Sequence, residues 1–196
     1  MSAPATMQPS DWINLGNAIC TFLAAAVALG LGIVAIRRER SSQLKAAKLY
    51  AARITVRLRE TEEKLRAYVI PLGFVNLEES HDQGLIRGLA DIRTFLSKPL
   101  FQPDDATLLA LTPLDDKAAH RIARAFDYID RVRGEMTALG GMISETTNER
   151  ERVQLFAKWS ADLTSAHDHL QVAVRVCAAA ADLAAPVPTG EERYGD

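Results

Sequence analysis

"WINLGNAICTFLAAAVALGLGIVAI", Trp12 to Ile36, is followed at once by "RRER", Arg37 to Arg40. No Asp, Glu, Lys or Arg interrupts the first stretch. A helix over it is about 37 Å long at 1.5 Å per residue, against a bilayer hydrocarbon core of about 30 Å. The segment therefore reads as a transmembrane helix, residues 12–36. Asn14, Asn17 and Thr21 soften its leading end, so the strict apolar core runs from Ala18 to Ile36. Trp12 marks one interface and the arginines the other, as aromatic and basic anchors do.

Two other readings of this stretch fit less well. A secretory signal peptide carries a basic amino-terminal region and a shorter apolar core ending at a cleavage site. Met1 to Ser10 has no Lys or Arg, and the positive charge follows the apolar run instead. A buried helix of a soluble core seldom runs this long without a charge. The segment is thus expected to be a signal anchor.

Orientation follows from what comes next. Between Arg37 and Arg59 there are eight Lys or Arg and one acid, Glu39. By the positive-inside rule, residues 1–11 form a short extracytoplasmic tail and everything after Arg37 lies in the cytoplasm. Arg37, Arg38, Arg40 and Lys45 fall close enough to the bilayer to feel anionic headgroups. The expected location is the inner (plasma) membrane of a bacterium, with membrane lipids as one partner.

Within the apolar run, Gly16, Cys20, Ala24, Ala28 and Gly32 recur every fourth residue. Small residues at this spacing let two helix backbones approach closely in lipid, where tight packing carries the contact. They are the expected transmembrane packing positions, for a homo-oligomer or for another spanning helix. "GLGIVA", Gly30 to Ala35, matches the glycine pattern of dinucleotide sites only formally, because no strand precedes it and no acid follows about twenty residues on.

Beyond the arginines the apolar period is helical throughout. Leu44, Ala47, Ala51, Ile54, Leu58, Thr61, Leu65 and Tyr68 alternate steps of three and four, which is a heptad seam. Leu49 and Val56 lie off it and suggest a second buried stripe or a lipid-facing one. Pro71 and Gly73 end this helix, and nothing before them separates it from the transmembrane run. Leu85, Leu89, Ile92 and Leu96 mark a second helix. It begins at a capping box, Asn76 with Glu79 or Ser80 with Gln83, and carries two weakening glycines, Gly84 and Gly88. "PDDATLLAL" gives a short turn of helix capped by Asp104 or Asp105. A third helix starts near Asp115 and Asp116, with Ala118, Ile122, Ala125, Ile129, Val132 and Met136 as its seam, and stops at Gly140–Gly141. In the fourth, Thr146 with Glu149 forms the cap, and Phe156, Trp159, Leu163, Ala166, Leu170, Ala173, Cys177 and Ala180 form the seam. Residues 186–196, "PVPTGEERYGD", read as a disordered acidic tail.

The fold class predicted is all-α: one amino-terminal transmembrane helix, then a cytoplasmic antiparallel bundle over residues 37–185 with coiled-coil-like seams. Its helices fall at about 37–70, 80–98, 115–139 and 146–185. A content of 48% hydrophobic and 24% charged residues fits a folded chain, not a disordered one. Alanine at so many seam positions implies close helix approach and a thin core, which self-association would thicken.

The search for chemistry finds little. A net charge of −2 gives no pull toward nucleic acid. The two cysteines, Cys20 and Cys177, form neither a disulfide framework nor a zinc motif. His167 and His169 flank Asp168, but positions two apart on a helix diverge, so this trio reads as a solvated face. His120 is placed on an outer side as well. Glu78 and His81 have the spacing used in di-iron bundles, but the other ligands of such a site are missing. No nucleophile elbow or phosphate loop occurs, and Asp104–Asp105 and Asp115–Asp116 are explained as helix starts. Catalytic, cofactor and metal residues are all expected to be none.

The function expected is a non-enzymatic, single-pass membrane-anchored module that serves as scaffold or adaptor for an unidentified protein partner. The alternative is a membrane effector, in which the bundle senses a signal and the transmembrane helices oligomerise to perturb the bilayer.

Overall fold

The structure is a computed structural model that describes residues 9–72, 82–139 and 148–184. All elements are helical: α1 (Pro9–Leu72), α2 (Asp82–Leu96), α3 (Asp105–Ala110), a 3-10 turn (Asp115–Lys117), α4 (Ala118–Leu139) and α5 (Glu149–Ala184). The chain divides into two compact units between Gln43 and Leu44.

The first unit is the leading part of α1. From Ile19 to Ile36 its large apolar side chains all face outward, including Phe22, Leu23, Val27, Leu29 and Leu31. Among the described residues, nothing covers them. This is the one helix among the described residues that is long and apolar enough to cross a membrane, and none of the apolar window is buried. Thr21 returns its hydroxyl to the Asn17 carbonyl at 2.8 Å, so its polar group is satisfied within the helix.

The second unit owns the hydrophobic core. Ala47, Ala51, Ile54, Leu58 and Leu65 of α1 are buried, as the heptad reading requires, and Thr61 joins them while bonding the Arg57 carbonyl at 3.0 Å. Leu49 and Val56 are exposed at 68% and 63%, so no second buried stripe exists there. Leu44 is exposed as well, and the buried seam therefore begins at Ala47. Helix α1 runs through Pro71 to Leu72, two residues past the stop expected at Ile70. A proline in the final turn forfeits one hydrogen bond but need not end the helix.

Helices α4 and α5 bury their predicted seams together, apart from Met136, which is only partly buried against the core. Ala118, Ile122, Ala125, Ile129 and Val132 face Phe156, Trp159, Leu163, Ala166, Leu170, Ala173 and Cys177 in a single cluster. Glu135 meets Lys158 and Trp159, Arg131 meets Asp162, and Tyr128 meets His169. Numbers fall along α4 as they rise along α5, the order of an antiparallel pair.

Of the two caps expected for α3, Asp104 is the one used, its Oδ1 accepting from the Thr107 amide at 2.8 Å. Two other helix starts differ in detail from expectation. Helix α4 begins at Ala118, after a 3-10 turn in which Asp116 and Lys117 take left-handed φ of 53° and 54°. The cap of α5 is a reciprocal box two residues later than predicted. Asn148 Oδ1 accepts from the Glu151 amide at 2.9 Å, while Glu151 Oε2 accepts from the Asn148 amide at 3.3 Å. Thr146, Gly140–Gly141, the two candidate caps of α2, the Glu78–His81 pair and the tail at 186–196 lie outside the described residues.

Gly88 of α2 is buried, and its lack of a side chain has a reason. A Cβ built there would lie 2.6 Å from the Phe156 ring of α5. The residue that weakens α2 as an isolated helix is the one that lets α2 close on α5. Tyr68 of α1 packs on Phe95 of α2 with ring centroids 4.6 Å apart, and accepts from Lys98 Nζ at 3.0 Å.

Candidate interaction site

On α4, the seam accounts for only one face. Displaced from it by one position, Lys117, Arg121, Arg124, Tyr128 and Arg131 follow steps of four, three, four and three. That spacing puts them along one stripe beside the α5 contact. Tyr128 anchors the stripe. The guanidinium carbons of Arg124 and Arg131 lie 5.1 Å and 5.2 Å from its ring centre, and the His169 ring of α5 lies 6.0 Å away with planes 14° apart. A guanidinium held against an aromatic face keeps its N–H edge free for a second partner.

Lys117, His120, Arg121, Arg124 and His169 line one shallow concavity of about 370 Å³, and no carboxylate is among its walls. Among the described residues none of these five has a carboxylate within ion-pair distance. Arg121 donates from Nε to the Asp116 carbonyl at 2.8 Å, which braces the left-handed turn ahead of α4. Arg131, by contrast, pairs with Asp162 at 3.6 Å. Like charges three or four apart on a helix repel by about 0.2–0.5 kcal/mol per pair. They also crowd the positive end of the α4 dipole, where the first turn holds no acid. The arrangement opposes helix stability and favours a bound anion.

A second polar feature is internal. His167 is not on a solvated face, as the sequence suggested. Its Nε2 lies 3.0 Å from Oε1 of Glu62 on α1, and the two side chains are 13% and 11% exposed. Position 167 flanks seam residue Ala166, and the approach of α1 closes over it. Asp168, at 71%, is exposed as expected. His120 is exposed too.

The remaining residues singled out in the sequence fall as follows. Cys20, Ala24, Ala28 and Gly32 are exposed on α1, and a Cβ at Gly32 would meet open space. Each four-residue step turns about 40° at 3.6 residues per turn, so Gly16 through Gly32 wind round α1 instead of stacking on one line. Arg37, Arg38, Arg40 and Lys45 are exposed. Cys177 is buried, and burial pushes its thiol up to about 11. Among the described residues, no group of three or more His, Cys, Asp and Glu gathers as a metal ion would need.

No family model matches the chain, and comparisons with curated proteins and with solved structures give no match either.

Proposed function

We propose that the chain is a single-pass membrane-anchored helical module acting as a scaffold or adaptor, its amino terminus outside and its bundle in the cytoplasm. The docking face is the basic stripe of α4 with His169 of α5, and the partner presents an acidic protein segment. The observation that carries this reading is the concavity of five basic groups without a carboxylate opposite them. Such a surface gains from an anionic partner through charge complementarity and through charge-assisted hydrogen bonds to the guanidinium edges, which offset their loss of water. The outward-facing apolar residues from Ile19 to Ile36 support the tether, and the arginines that follow support the inward orientation.

The test uses the full chain in nanodiscs of neutral lipid. A poly-glutamate peptide should bind the wild type, weaken as salt rises, and lose binding to Arg121→Glu/Arg124→Glu with the melting temperature retained. Partner capture from cross-linked membranes should fail in the same variant. Preference for an oligonucleotide over the acidic peptide, or capture indifferent to the charge reversal, overturns the reading.

A further inference from the structure

A separate cleft of about 380 Å³ opens in the second unit between α1 and the segment from Phe101 to Thr107. Its α1 wall carries Tyr50, Arg53 and Arg57, which share one helix face at steps of three and four. Neither arginine has a carboxylate within ion-pair distance among the described residues. Two guanidinium groups one turn apart repel each other unless an anion lies between them.

The opposite wall is arranged around this charge. Arg57 lies 5.4 Å from the Phe101 ring centre, so the ring steadies the guanidinium without consuming its N–H donors. Asp104 is the one acid lining the cleft, and its Oδ1 is committed to the Thr107 amide. Hydrogen bonding from Thr107, through its side chain first and its amide second, holds the Asp104 carboxyl below its ordinary range, with Arg53 adding a smaller pull. Its charge is therefore present but its Oδ1 is engaged by Thr107, while the Arg53 and Arg57 guanidinium groups and the Tyr50 hydroxyl remain for a ligand. Buried Ile54 and Pro103 supply an apolar floor.

We propose that this cleft binds a small phosphate ester: Arg53 and Arg57 grip the phosphate, and its organic part lies along Ile54, Pro103 and the edge of Phe101. A cleft of this size, mostly preformed with a few convergent polar groups, is the usual form of a small-molecule site. Bidentate guanidinium contacts suit a tetrahedral anion. This inference stands apart from the α4 surface and does not require it.

Full-length protein in phosphatidylcholine nanodiscs is titrated with phenyl phosphate and with inorganic phosphate by calorimetry. Saturable binding of phenyl phosphate is expected, tighter than inorganic phosphate. Arg53→Gln and Arg57→Gln should each weaken it by about tenfold or more, with the melting temperature kept; the exposed Lys64→Gln elsewhere on α1 should not. Nanodiscs containing a phosphoinositide identify the source: competition with phenyl phosphate assigns the site to a lipid headgroup, and its absence assigns a soluble ester. No saturable binding, or equal binding by both cleft variants, overturns the proposal.

Discussion

Oε1 of Glu62 and Nε2 of His167 meet at 3.0 Å across 105 positions of sequence, joining α1 to α5 through two mostly hidden side chains. Removing either partner strands a buried polar group, whereas removing both replaces the pair by apolar packing. Glu62→Leu and His167→Leu are each expected to destabilise the bundle by about 1–3 kcal/mol, and the double variant by less than their sum. Thermal unfolding of the detergent-solubilised chain, run as a double-mutant cycle, measures this coupling. Strict additivity would show that the two residues are neighbours without being partners.

Glu135 ties α4 to α5 at the other side of the core. It accepts from Lys158 and, at 3.0 Å, from the indole N–H of fully buried Trp159. The Lys158 contact, followed by the Trp159 bond, holds its carboxyl below the ordinary 4.5. The folded state thus gains from ionised Glu135 above that ordinary value and loses the gain as pH falls through the lowered one. Trp159 emission should shift on acidification in the wild type before global unfolding, and not in Glu135→Gln. Glu135→Ala leaves the indole N–H unpaired and should cost about 1–3 kcal/mol.

Gly88 and Gly84 share α2 but differ in surroundings. Gly88→Ala drives a methyl to 2.6 Å from Phe156 and is expected to destabilise by about 1–3 kcal/mol. Phe156→Leu in the same chain should recover part of that loss. Gly84 faces open space, and Gly84→Ala should stabilise by about 0.5–1 kcal/mol through helix propensity alone. Melting temperatures that move in the same direction for both alanines would contradict the close approach at Gly88.

Cys177 is fully buried, and its thiol titrates near 11 instead of the ordinary 9.0. Burial keeps the proton on in the folded state, so this group's contribution is whole below the ordinary value and is lost as pH rises toward the raised one. In a Cys20→Ser background, maleimide at neutral pH should label the chain only after denaturant is added. Rapid labelling of the native protein would mean that the α5 seam opens locally.

These relationships were unevenly written in the sequence. The α4 and α5 seams were legible because their buried residues recur at three or four, although Ala119, Phe126 and Val174 are buried beside those seams as well. Period reports the face of a helix, however, and not what the neighbouring helix brings to it. His167 looked solvated since only its own helix was in view; Glu62, far away in sequence, supplies its partner. The α4 stripe shows its spacing plainly, but Asp127 and Asp130 stand between its members and dilute any count of linear charge. The cleft beside Arg53 was hidden for another reason. Its far wall, Phe101 to Thr107, has no periodicity, and its placement follows from tertiary contacts alone.

Ala47, Ala51, Ala118, Ala125, Ala166 and Ala173 are wholly or nearly without solvent contact. Methyl groups give neighbouring backbones little to slide over and no long side chain to re-rotamer. Drift at these sites is consequently blocked in both directions, since a hydrogen leaves a gap and anything larger levers the helices apart. Such an interior moves, when it moves, as stiff helices changing place and not as side chains yielding.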